Sequence, residues 1–187
     1  LLARIEEMMQ SKDQARRESK SKKKLRTQHI IDLLQQRFPD AKIELKVKKR
    51  DPWQLLVAVV LSAQCTDVKV NAVTPKLFKN FPDVKAFARS KPSKVMPYIK
   101  TLGLAKNKAK FIVESSRLVI ECHEGKVPTD RAQLEALPGI GRKSASVILA
   151  NAFGIPALAV DTHVSRVSTR LGLSVSKNPS KIEDELE

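Results

Sequence analysis

Residues 55–63 are apolar at every position except Ser62. A helix of that composition has no polar face for water, so it belongs at a domain centre with other elements around it. The four residues before it, Asp51-Pro52-Trp53-Gln54, spell a helix start. Aspartate can cap, proline suits the first turn, and glutamine stands three after the cap, as in a capping box. Val57, Val59 and Val60 would also fit a buried strand. No other segment offers a strand partner, so the chain is expected to be all-α.

Caps and periodicity place the remaining helices. Ile30, Ile31, Leu33, Leu34 and Phe38 make a helical stripe. Thr66 or Asp67 opens a segment to about Lys79, with Asp67 expected to cap rather than to line a pocket, and Pro82-Asp83 opens another. A helix is expected over residues 93–103, ended by Gly103. Residues 105–122 form a long amphipathic helix with Ala109, Ile112, Val113, Leu118, Val119 and Cys122 on its apolar side, closed by Gly125. Pro128-Thr129-Asp130 starts a short helix through Leu137; residues 142–153 form the next, stopped by Gly154 and Pro156. Asp161 precedes a helix holding Val164, Val167 and Leu171. Asn178-Pro179-Ser180 starts a last helix that breaks off mid-pattern at Glu187, so the C-terminal part is expected to be truncated.

The formal net charge is +15, and residues 1–50 carry over half of the excess. Such a charge speaks of partners rather than fold, and a nucleic acid is the natural polyanion. Residues 10–26 are polar and strongly basic, which reads as a solvated segment, a phosphate-contacting arm or a nuclear-localisation patch. Cys65 and Cys122, far apart and outside any CxxC pair, read as core or incidental thiols. No apolar run reaches the ~18 residues of a membrane span, so no membrane partner is expected.

The most informative stretch is Leu137-Pro138-Gly139-Ile140-Gly141 with Arg142 and Lys143 behind it. Two glycines two apart permit a tight turn with the backbone close to a ligand. The next helix then points its free N–H groups at that turn, a ready phosphate site. Between two helices in a basic chain, this pattern suits gripping a DNA backbone without reading sequence.

Four segments carry a resemblance: residues 55–67, 99–109, 127–154 and 159–167, in that order, with 18 positions from Lys143 to Asp161. The chain resembles the helix-hairpin-helix–GPD superfamily of base-excision glycosylases, and within it the endonuclease III branch. The resemblance implies a six-helix barrel domain over residues 44–158, with the helix-hairpin-helix at 131–153. It implies a second helical lobe from residues 1–43 and 159–187, with the active site in the cleft between the lobes. It implies base-excision repair: removal of oxidised pyrimidines from damaged double-stranded DNA, then cleavage of the abasic site. Lys143 is then the nucleophile and Asp161 a catalytic carboxylate. Gln64 and Leu104 are gap fillers, and Gly139, Ile140, Gly141 and Arg142 contact DNA. A monomer is implied, cytoplasmic on a bacterial nucleoid, or nuclear in a eukaryote.

The chemistry suits these residue types. An amine attacks the sugar C1′ and expels the base; the resulting imine acidifies the C2′ proton and drives β-elimination. An ordinary lysine, with pKa ~10.4, is almost wholly protonated at neutral pH. A partly buried Lys143 and a phosphate- or solvent-facing Arg142 are therefore expected. Asp161 is also well placed to cap its helix. The target base has to leave the stack, and Gln64 and Leu104 fill the space it vacates. His163 is expected to support the helix start or line the cleft.

Two departures stand out. Ser144-Ala145-Ser146 replaces the family's usual Thr-Ala-Asn, a small change. The four clustered cysteines of the branch's [4Fe-4S] cluster are absent, so that cofactor and its metal ligands are expected only if the chain continues beyond Glu187. The rival readings are a monofunctional glycosylase of the same fold, against which Lys143 argues, and a non-catalytic helix-hairpin-helix module, against which Asp161 argues.

Overall fold

The computed structural model describes residues 18–48 and 51–187. Every regular element among them is helical. In chain order these are α1 (Lys20–Arg37), α2 (Pro52–Ser62), α3 (Asp67–Asn80), α4 (Val84–Ala88), α5 (Pro92–Val95), a 3-10 turn (Met96–Tyr98), α6 (Ala105–His123), α7 (Arg131–Glu135), α8 (Arg142–Ile148), a π-helical turn (Leu149–Phe153), α9 (Thr162–Arg170) and α10 (Pro179–Leu186). They fall into two compact units, Ile43–Ala157 and Leu1–Lys42 with Leu158–Glu187. No helix among the described residues is long and apolar enough to cross a membrane.

In the unit Ile43–Ala157, α2 is the hub. It packs against α3, α6, α8 and the π-helical turn. Trp53 and every residue from Leu55 to Leu61 are buried, each large apolar side chain contributing roughly 1.5–3 kcal/mol. Asp51 caps α2 by accepting the Gln54 N–H at 3.0 Å. The capping box does not close, because the Gln54 amide oxygen accepts from the Lys48 N–H instead. That bond leads the incoming chain onto the hub helix.

Three expectations for this unit need correction. Asp67 is the first residue of α3 rather than its cap; Thr66 holds the cap position without a side-chain hydrogen bond. The helix expected over 93–103 is two short pieces, α5 and the 3-10 turn. Pro97 lacks an N–H and cannot continue α5. Cys122 is exposed. The buried face of α6 instead runs through Lys108, Ala109, Ile112, Val113, Ser115, Ser116 and Val119.

The other unit joins α1 to α9 and α10. Residues 10–17 of the basic stretch lie outside the described residues; the rest starts α1, capped by Ser19. Its cations are not all solvated. Lys23 Nζ donates to the Leu173 carbonyl at 2.8 Å. Arg26 donates to the carbonyls of Leu171 and Gly172 and pairs with Glu18 at 2.7 Å. Lys23, Arg26 and Ile30 lie three and four residues apart, so they share a face. That polar-anchored face packs inward, which leaves Ile31, Leu34 and Phe38 of the expected stripe exposed. On α9 the same shift buries Ser168 and leaves Val167 46% exposed.

Two carboxylates tie this unit to pH. The Arg26 guanidinium holds the Glu18 carboxyl below its ordinary value. The Ser174 hydroxyl and the Val175 and Ser176 N–H groups lower Glu185 likewise. Depressed carboxyls contribute stability above the unfolded value of about 4.3 and lose it as pH falls through the folded values. Thermal midpoints are therefore expected to hold steady from pH 7 to 5 and to drop below about pH 4. A Glu18→Gln, Glu185→Gln double variant should show a shallower acid slope; an unchanged slope counts against the assignment.

Candidate active site

The hairpin lies in the unit Ile43–Ala157 and is held from both sides. Asp130 caps α7 through the Gln133 N–H at 2.9 Å. The chain turns over residues 136–141 and enters α8, whose cap position is Gly141. The Ser115 hydroxyl of α6 donates to the Pro138 carbonyl at 3.0 Å. Arg131 of α7 donates to the Ser146 hydroxyl of α8 at 2.8 Å, and that hydroxyl donates to the Arg142 carbonyl. Ser146, one of the departures from the family pattern, is thus a fully buried clasp between the two helices.

The two glycines serve different ends. Gly139 has φ +83°, and a Cβ there would lie 2.9 Å from the Phe111 ring. Gly141 has φ −107°, and a Cβ there would meet nothing. Gly139 is therefore required by the fold, while Gly141 keeps the mouth of α8 open. Gly139→Ala should cost about 2–4 kcal/mol of stability from strain and overpacking. Gly141→Ala should be close to neutral in the same denaturant titration. Equal stabilities would contradict this division.

Ile140 is the anchor of the turn. Its side chain is 6% exposed, and its N–H donates to the Leu137 carbonyl. Neither group is presented to a ligand. Lys143 and Arg142 reverse the expected exposures: Lys143, in the first turn of α8, is exposed, and Arg142 is half-buried. The partly buried setting expected for Lys143 gives way to an exposed side chain.

Gln64 and Leu104 stand out by backbone. Among the described residues only three non-glycines have positive φ: Gln64 (55°), Leu104 (60°) and Glu124 (54°). For a leucine that conformation costs about 1–2 kcal/mol. Gln64 is exposed, and Leu104 is 53% exposed, so it makes no full apolar contact that would explain its strain. The structure also brings their turns together. A Cβ on Gly103 would lie 4.0 Å from Cys65 Sγ. Gln64 precedes one member of that contact, and Leu104 follows the other.

Lys108 was not legible as special and is the largest addition. It is 2% exposed. Its ammonium donates to the Leu61 carbonyl at 2.8 Å and to Cys65 Sγ at 3.2 Å. Burial pushes the Cys65 thiol up, but Lys108 and the Gly103 N–H outweigh it and set the thiol below its ordinary value. A signal was available: Lys108 stands four residues before Ile112, on the apolar face of α6.

Asp161 lies in the other unit and caps α9. Its Oδ1 accepts from the N–H groups of His163 and Val164, both at 2.9 Å. Asp161 is half-buried. His163 is exposed and its Nδ1 lies 3.2 Å from an Arg166 nitrogen, which makes it part of the helix start. No group of three or more His, Cys, Asp or Glu among the described residues is placed to hold a metal ion.

A helix-turn-helix gripped by a third helix, with an open glycine mouth and a lysine in the first turn, describes a class of DNA-repair scaffold. Residues 57–187 match the family described as HhH-GPD superfamily base excision DNA repair protein, and the chain belongs to that family. It is similar to endonuclease III of a Synechocystis strain, 45% identical over 165 residues, which is 88% of this chain and 74% of the relative. Endonuclease III of Escherichia coli K12 is likewise 45% identical, over 84% of this chain and 74% of its own. A solved endonuclease III held by DNA as a trapped covalent intermediate superposes with a TM-score of 0.80 at 41% identity, over 87% of this chain and 76% of that one.

Proposed function

We propose that the protein is a bifunctional DNA glycosylase and abasic-site lyase that removes oxidised pyrimidines from duplex DNA. The observation that carries this is Lys143 in the first turn of α8, directly behind an open glycine turn. The similarity to a relative trapped covalently on DNA supports it. Phosphate is held at the hairpin mouth by the backbone of Gly139 and of Gly141 and by Arg142. Ile140 anchors that turn from within the core rather than touching DNA. Gln64 and Leu104 enter the duplex where the target nucleotide leaves it.

Lys143 Nζ then attacks C1′ and the base departs with the glycosidic electron pair; the nitrogen sheds its proton, and the C1′–O4′ bond breaks as the C1′=N imine forms, O4′ taking up a proton as a hydroxyl. Removal of a C2′ proton expels the 3′ phosphate. Asp161 stabilises positive charge on the sugar and assists the proton transfers. Lys143 is exposed without DNA, so the nucleotide and its backbone supply the desolvation that a neutral amine needs.

The residues present do not fit a [4Fe-4S] cluster. Such a cluster takes four thiolates; the chain has two cysteines, one against Lys108 and one exposed on α6. A cluster of the family's kind would draw its ligands from sequence outside residues 1–187, and no step here passes through it. The proposed location follows the DNA: the cytoplasm of a bacterium, or the nucleus of a eukaryote.

Borohydride tests the reading. With abasic-site duplex the protein should form a covalent adduct stable to denaturation. Base release from a duplex carrying an oxidised pyrimidine, without an adduct on either substrate, would make it a monofunctional glycosylase, and binding with neither product a DNA-binding module.

A further inference from the structure

Lys108 is a buried cation held by a carbonyl and a thiol rather than by a carboxylate. Such a group is costly to bury, and apolar residues of similar volume often stabilise a core as well as buried charges do. Stability therefore does not explain it, and its contacts do. Leu61 lies in the last turn of α2, where carbonyls have no helical partner and the helix dipole is negative. Cys65 belongs to the turn that follows, its N–H donating to the Ser62 carbonyl. The Lys108 ammonium thus holds the turn that carries Gln64. At its other end, the Lys108 N–H donates to the Leu104 carbonyl at 3.0 Å. That bond opens α6 and fixes the turn that carries Leu104. One residue clamps two strained, exposed turns, and the Cys65–Gly103 contact closes them against each other.

We infer that Lys108 is a positioning residue that joins the Gln64 and Leu104 turns into a single rigid wedge, so that both side chains enter the duplex in register. The inference rests on the proposed reading of Gln64 and Leu104 as gap fillers. A rigid wedge lowers the barrier to extruding the target nucleotide; it adds nothing where that nucleotide is already unpaired.

The test compares single-turnover excision of one oxidised pyrimidine from a fully paired duplex and from an unpaired bubble. Lys108→Met keeps the stem and removes the ammonium. Its excision from paired DNA is expected to fall about tenfold or more, as loss of part of a few-kcal/mol unstacking drive requires. Excision from the bubble should change far less. Equal losses on the two substrates, or no loss on either, overturn the proposal. If the methionine variant does not fold, Cys65→Val, which leaves Lys108 but removes its thiol contact, should lower the same paired-to-bubble ratio; an unchanged ratio overturns the proposal. Leu104→Ala separates the underlying reading. An unchanged ratio there sinks the filler assignment and the wedge with it. A lowered ratio in Leu104→Ala beside an unchanged one in Lys108→Met sinks the wedge alone.

Discussion

Lys143→Gln should bind abasic-site duplex almost as well as the parent protein and form no adduct under borohydride. Strand cleavage should fall by at least about 10³-fold, the scale of removing a nucleophile. The prediction is sharp because the neighbouring cation cannot substitute: a guanidinium stays protonated and is no nucleophile at neutral pH. It is also discriminating. If Lys143 only gripped a phosphate, the variant would lose affinity and about one unit of salt slope while keeping its turnover. Since Lys143 is exposed without DNA, the fold should tolerate glutamine, and a lost adduct would report chemistry rather than unfolding.

Asp161→Asn should separate the two roles of that carboxylate. Asparagine caps a helix about as well as aspartate. The bonds from the His163 and Val164 N–H groups both end on Oδ1, and an amide oxygen can accept them. Stability should stay within about 1 kcal/mol of the parent. Turnover should fall about 10²–10⁴-fold, the range for a positioned proton-transfer group. Asp161→Ala should add a loss of about 1 kcal/mol in stability to the same loss in rate. An Asp161→Asn protein with full turnover would leave Asp161 as a cap and nothing more.

The helix starts were the most legible part of the fold. Asp51, Asp83, Asp130, Asp161 and Asn178 each accept main-chain N–H groups two or three residues ahead, a bond contained within a few positions of sequence. The all-apolar run of α2 was legible for a similar reason, since burial on every side follows from composition. What failed was whatever depended on distant partners. The inward face of α1 was misread because it packs through the Lys23 and Arg26 heads on carbonyls about 150 residues away. Cys122 looked like core because apolar character says nothing of which neighbour is present. At the site, the identities of Lys143, Asp161, Gln64 and Leu104 came from matched motifs. The strain at Gln64 and Leu104, the Ser146 clasp and the Lys108 clamp depend on contacts between separate segments, which no local pattern records. The exposure of Lys143 was missed because burial was inferred from what the chemistry needs during reaction, not from what the DNA-free protein contains.

The commitment of cations to the chain's own carbonyls and hydroxyls also changes how its charge should be counted. Lys23, Arg26, Lys108, Arg117 and Arg131 all donate to groups within the protein. Such a cation is already spoken for when DNA arrives and displaces few condensed ions from the phosphates. The salt sensitivity of binding follows the phosphates actually neutralised rather than the net charge. Neutral carbonyls and hydroxyls cancel no charge, so the field of a +15 chain still draws DNA in, but the salt slope of binding should fall short of what that charge suggests.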